Sequence, residues 1–194
     1  MSKMIWDATG TRRFETGVSK GVLSVMSDSG AYDKPVPWSG LSKVSESPSG
    51  AEVTKLYADN MEYLGLMSSE EYGATIECYT YPPEFYACDG AVSVAKGITV
   101  GQQNRKKFGF SYVSTDAGYA IHMIYGAQAK PSSKDHETVN NSPAAATMSY
   151  EITTTPVSIT DMDLKPTATL TIDSTLVDKD ELAAFEKVLY GNTD

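Results

Sequence analysis

The side chains able to do chemistry are few in this chain, and their spacing works against them. There are two histidines, His122 and His136, and two cysteines, Cys78 and Cys88, in 194 residues. A structural zinc site takes four Cys or His ligands at finger-like spacings. A ten-residue Cys–Cys interval with distant histidines fits no such pattern. His122 falls in a strand-like stretch and His136 in a polar loop, so each reads as a surface or half-buried polar residue. Asp161 and Asp163 in TDMDL offer two carboxylates to a cation, without the other ligands of a calcium loop. Glu70-Glu71 invites an acid–base reading, but adjacent side chains on an extended segment point to opposite faces. The sequence has no G-x-S-x-G elbow, phosphate-cradling glycine loop or dinucleotide fingerprint. It therefore nominates no catalytic, cofactor-binding or metal-binding residue and reads as a non-enzyme.

Charge narrows the partners. The net charge is −9 and the pI near 4.7, which gives no electrostatic reason to bind nucleic acid or anionic lipid. The cluster Arg105, Lys106, Lys107 stands against that background and reads as a subunit contact or a solvated strand end. The start, MSKMIWDATGTRRF, lacks the apolar core of a signal peptide. No stretch reaches the roughly 18 apolar residues of a membrane span. Cytosolic production with free thiols is the expectation.

The elements that would position any site are mostly strands. Residues 15–26 read as a strand with a bulge or tight turn between Gly17 and Gly21. Residues 53–58 and 62–67 are short strands around the turn pair Asp59-Asn60. Residues 74–81 set Ala74, Ile76, Cys78 and Thr80 on one face, and Pro82-Pro83 ends the strand. PPEFYACDG reads as one helical turn stopping at Asp89-Gly90. Residues 107–113 align Phe108, Phe110 and Tyr112. Residues 119–127 align Tyr119, Ile121, Met123 and Tyr125, after a hairpin-length link. Residues 147–155 align Met148, Tyr150 and Ile152, and residues 167–173 align Ala168, Leu170 and Ile172. Aromatic and β-branched faces opposite Thr and Ser suit an antiparallel sheet with one wet side. A helix over 178–190 closes the chain, with Asp178 as N-cap, a stripe of Leu182, Phe185, Val188 and Leu189, and Gly191 as the stop.

Two segments fit no element. Residues 1–14, with Trp6, Arg12 and Arg13, read as an arm. Residues 27–51 are Ser/Gly/Pro-rich, with Pro35, Pro37 and Pro48. Structureless loops beyond roughly 12–15 residues are uncommon in compact domains. Tyr32, Val36, Trp38, Leu41 and Val44 within this one are apolar anchors, and a neighbouring subunit is what they are expected to dock on. Interface candidates are therefore Trp6, Arg12, Arg13, Tyr32, Val36, Trp38, Leu41, Val44, Arg105 and Lys106. Tyr79 and Tyr81 join them as aromatics off the core pattern.

Several stretches together resemble the major tail (tail tube) proteins of long, non-contractile-tailed bacteriophages of Gram-positive hosts, the phi13-type group. They are ATGTRRFETGVSKGVL, PWSGLSKVSESPSGAEVTKLYADN, EEYGATIECYTYPPEF with CDG, GQQNRKKFGFSY, IYGA with NNSP, and ITTTPV with TIDST. The resemblance implies an antiparallel β-sandwich or half-barrel of the tail tube type, mainly β, over residues 1–194, with one flanking C-terminal helix. It implies hexameric rings stacked into a hollow tube in the virion tail, assembled in the host cytoplasm. Arms and the 27–51 loop would reach adjacent rings. Its partners would be other copies of itself, a tape-measure protein in the lumen, and tail terminator and distal tail proteins at the tube ends. Double-stranded DNA would pass through transiently, and no membrane or cofactor is involved. The other reading of the same residues is a capsid-decorating or carbohydrate-binding β-sandwich, with exposed Tyr and Trp stacking on sugars.

Overall fold

The computed structural model describes residues 4, 6, 14–115, 118–134, 138, 145–160 and 163–191. Among them the chain is mainly β, with antiparallel sheets and one α-helix. In chain order the strands are β1 (Thr16–Val25), β2 (Val36–Trp38), β3 (Leu41–Glu46), β4 (Ser49–Gly50), β5 (Val53–Ala58), β6 (Met61–Met67), β7 (Glu70–Glu71) and β8 (Gly73–Cys78). A 3₁₀ turn, Pro83–Ala87, precedes β9 (Val92–Ala95) and β10 (Ile98–Val100). Then come β11 (Phe108–Thr115), β12 (Tyr119–Ala129), β13 (Met148–Thr154), β14 (Thr169–Asp173) and the helix α1 (Lys179–Tyr190).

The main sheet runs β2-β1-β11-β12-β13-β8-β3, with β14 branching off β12. Its two outer strands, β2 and β3, are consecutive in the chain and separated by Ser39 and Gly40 alone. One bent segment thus pairs with β1 at one end of the sheet and β8 at the other. The sheet is curled on itself, and β1 and β3 come into contact. Gly40 makes the corner with φ +81°, and a Cβ there would stand 2.6 Å from Thr80 Oγ1. Only glycine adopts this corner without strain.

Residues 36–46 of the segment expected to be a structureless loop are therefore part of the main sheet, while Ser49–Gly50 pairs with Glu70–Glu71 in a separate one. The segment's anchors do dock, but on their own chain. Trp38 is 1% exposed, with ring centroids 4.6 Å from Phe85, 5.4 Å from Phe110 and 6.3 Å from Tyr150. Its Nε1–H donates to Thr80 O at 2.9 Å, and Thr80 Oγ1 donates to Ser39 O at 2.6 Å. Val36, Leu41 and Val44 pack against the same core. The alternation of a strand was hidden by the corner and by a register shift between Leu41 and Lys43.

Inside the curl, alternate residues meet as one core: Leu23, Ile76, Cys78, Phe108, Phe110, Ile124, Tyr150 and Ile152. These follow the period-2 faces expected for β8, β11 and β13. The expected bulges in β1 are present as two register shifts between Thr16 and Val22. β11 and β12 depart from the expectation of one wet face. Their outer side is buried as well, because α1 lies on it, with Val22, Val113, Ile121, Leu182 and Leu189 in a second core. β12 changes partner midway, pairing with β14 from Ala120 to Ile124 and with β13 from Ala127 to Ala129. Gly126 sits between, with φ +57°, where a Cβ would stand 2.3 Å from Thr155 O.

The helix matches its signals. The Asp178 carboxylate accepts from Asp180 N at 2.9 Å and Glu181 N at 3.2 Å, and Gly191 ends it at φ +86°. Leu182 and Leu189 are buried and Phe185 partly so, but Val188 is 78% exposed. Position 188 lies about 120° off the 182–189 stripe at 100° per residue. Leu170 is also left exposed, on a branch strand with a strand partner on one side only among the described residues.

Replacing Trp38 by alanine should remove about 3–5 kcal/mol of stability, read as the shift in urea unfolding. Trp38→Phe keeps most of the ring and forfeits the Thr80 hydrogen bond, so its loss should be smaller. A Trp38→Ala loss under about 1 kcal/mol, far below the usual core truncation, would mean the sheet does not depend on this plug.

Candidate functional site

One polar cluster brings a nucleophile, a base and an acid together, at the rim of the curled sheet. His122 and Tyr112 are cross-strand neighbours on β12 and β11, stacked at 4.7 Å with 11° between ring planes. Ser114 Oγ lies 2.8 Å from His122 Nε2 and donates to Glu15 Oε2 at 3.1 Å. Glu15 Oε2 is itself 3.5 Å from His122 Nε2. Thr171 Oγ1 is 3.5 Å from Nδ1. Tyr112 Oη donates to Glu46 Oε1 at 2.8 Å.

This arrangement cannot work as a Ser-His-acid triad. There the acid holds one imidazole nitrogen while the other removes the serine proton. Here serine and acid share the same nitrogen. A carboxylate only accepts, so the single Ser114 hydroxyl proton goes to Glu15 and His122 Nε2–H donates to the serine oxygen. The proton flow is opposite to nucleophile activation. What the cluster does is tie Glu15, the residue just ahead of β1, to β11 and β12. Burial first, and the neighbouring Glu46 carboxylate second, push the Tyr72 hydroxyl pKa up. Tyr112 is raised by burial and by its hydrogen bond to Glu46.

Among the described residues no three His, Cys, Asp or Glu side chains gather as metal ligands would. His136, Asp161, Arg12 and Arg13 lie outside the described residues. Cys78 and Cys88 are free and buried. Burial raises the Cys78 thiol and pushes Cys88 up to about 12. A thiol so far from ionising is a poor nucleophile and ligand.

The interface candidates divide. Trp38, Val36, Leu41 and Val44 belong to the chain's own core, as described. Tyr81 packs on Phe85, Tyr86 and Tyr150. Arg105 is an internal pin rather than a surface contact. Its guanidinium is 3.3 Å from Asp89 Oδ1 and donates to the carbonyls of Ala129 and Lys130. The sequence run RKK hid this because its three cations have separate fates: Arg105 pins Asp89, Lys107 is half-buried and donates to Thr155 Oγ1 at 3.0 Å, and Lys106 is exposed. Lys106 stays accessible, paired at 3.2 Å with exposed Asp28. Tyr32 is half-exposed; its ring lies against Gly109 and its Oη accepts from Gly126 N. Trp6 is 78% exposed, and Met4 and Phe14 of the same segment are exposed too.

The strongest surface feature was not among the candidates. β5 and β6 form a hairpin in which every residue is exposed. Asp59 and Asn60 carry φ of 50° and 62°, the two positive values a type I′ turn requires. The pairs Leu56–Leu64 and Thr54–Leu66 share one face, and Val53–Met67 lies on the other. Lys55 and Glu62 are joined at 2.7 Å. The strands were legible in sequence, but period alone could not tell that neither face would be covered. A second exposed hairpin, β9–β10, carries Val92, Val94, Ile98 and Val100 around the turn Lys96-Gly97. Its signal was VSVAKGITV, alternating residues about a Lys-Gly turn.

No protein-family model matches this chain, and no curated protein matches it. No helix among the described residues is long and apolar enough to cross a membrane, which does not bear on spanning by strands.

Two tests follow from the buried groups. The native protein should give no reaction with a thiol reagent, and two thiols per chain once unfolded; rapid native labelling would contradict the burial. Cys88 and Tyr190 are both pushed up to about 12 by burial, from 9.0 and 10.0. The unfolded chain then loses these protons first. The contribution of these two groups should be level below about pH 8 and fall as pH rises toward 12, measured as the urea midpoint against pH on the alkaline side.

Proposed function

We propose that this chain is a structural protein that assembles with copies of itself into stacked rings, forming the tail tube of a long-tailed bacteriophage and the conduit for its DNA. The β5–β6 hairpin carries the reading. Two-stranded hairpins are marginal alone in water, and this one presents Leu56, Leu64, Leu66, Tyr57, Tyr63 and Met67 to solvent. Contiguous exposed apolar surface of this kind marks an interaction site. In a chain that repeats in an assembly, another copy is always at hand to cover it.

Further support is consistent with a conduit. The Ser114–His122–Glu15 cluster has the hydrogen-bond pattern of a structural tie rather than of a triad. The excess of acid multiplies in a ring, and a net negative wall repels phosphates and keeps DNA mobile. The mainly antiparallel architecture with a flanking helix agrees with the tail tube type in its coarse form. In this reading the reaching arm is the 53–67 hairpin, with residues 1–14, rather than 27–51, whose residues 36–46 are held in the chain's own sheet. The carbohydrate-binding reading loses its best stacking platform, because Trp38 is inside the core.

Replacing residues 53–67 by a short turn should leave a folded, cooperatively unfolding domain that no longer forms tubes at concentrations where the intact chain does, as seen by electron microscopy. Long tubes from the shortened chain would refute the hairpin's role. An intact chain that stays monomeric under all assembly conditions would refute the tube.

A further inference from the structure

Between α1 and the outer face of β1, β11 and β12 lies a groove of about 250 Å³. A cavity of roughly 150 Å³ already admits a benzene-sized body when its walls are apolar. The walls here are mostly apolar, with Val22, Met123 and Phe185 among them. Two polar features interrupt them. Ser111 is 3% exposed, and its Oγ has no hydrogen-bond partner. Asp33 is the one charged side chain among the described lining residues. Val188, the helix residue left 78% exposed, stands at the mouth.

The β9–β10 hairpin is complementary to this groove. Ile98, Val100 and Val92 share one exposed face. Lys96, at the turn, is the hairpin's single charge. The β5–β6 hairpin, with Lys55, Asp59 and Glu62, is net acidic and would bring like charge toward Asp33. A peptide turn also delivers N–H and C=O groups that can satisfy Ser111, which a plain hydrocarbon cannot. No residue of the hairpin lines the groove of its own chain. A knob and a hole on different parts of one surface make a head-to-tail contact, the kind that closes rings.

We infer that the β9–β10 hairpin of one copy seats in the α1–sheet groove of the next, with Ile98 against the groove and Lys96 facing Asp33. The inference rests on the tube reading for its second copy. The test is disulfide trapping between Ile98→Cys and Val188→Cys in the full chain, both at exposed positions and with the native cysteines buried. Assembled protein should yield cross-linked ladders, and diluted monomer none. Lys96→Glu or Asp33→Lys alone should lower cross-linking several-fold, and the two together should restore it.

Assembly without the cross-link overturns this inference and leaves the tube reading standing. So does a link from Leu64→Cys to Val188→Cys in its place, which would give the groove to the other hairpin. Failure of the intact chain to assemble at all overturns both.

Discussion

The structure hangs on a corner of three residues, Trp38, Ser39 and Gly40. The main path of seven strands has two edges, and each edge is a row of unpaired peptide groups open to wrong partners. Here one continuous segment serves both edges. That requires a sharp change of direction within two residues, which Gly40 supplies at φ +81°. Two hydrogen bonds then hold the turn to the end of β8, from Trp38 Nε1 to Thr80 O and from Thr80 Oγ1 to Ser39 O. The indole lies among Phe85, Phe110 and Tyr150, so closure of the sheet and filling of its interior are one event. Each aromatic contact adds about 0.5–1.5 kcal/mol beyond burial. The 3₁₀ turn is held to the same core through Phe85, and through Arg105 bridging Asp89 to the end of β12.

How much of this was legible depends on whether a residue's fate was set locally. β8, β11 and β13 could be read because one face alternates without interruption, and their inward residues are the buried ones. The helix could be read from Asp178 and Gly191, since caps act within one turn. Residues 27–51 could not, because the corner and the bulge break the alternation that reveals a strand. Trp38 was recognised as an anchor, yet nothing in its neighbours says whether an anchor docks at home or abroad. The same gap explains Arg105, whose partners lie 16 and more residues away. Val188 and Leu170 belonged to patterns whose outermost members the fold leaves uncovered. The polar cluster of Ser114, His122 and Glu15 was invisible because it joins residues up to 107 positions apart.

Closure of the main sheet also constrains how copies can meet. With β2 and β3 consecutive at a corner, both ends of the main path belong to one short bent segment, and each of these strands has a strand partner on one side only among the described residues. Pairing between copies would fall to these short ends, to the outer side of β14 or to the hairpins, which are short and carry charges near their turns. Side-chain docking in the groove is the other mode open to the body of the domain. It is more selective than strand addition, because a groove with one carboxylate and one buried hydroxyl accepts few shapes, whereas a bare edge accepts almost any extended peptide. The two exposed hairpins differ in charge, one net acidic and one basic. In the proposed tube such a chain would make two kinds of contact with its neighbours without confusing them, which is what an assembly extending both around a ring and along an axis requires.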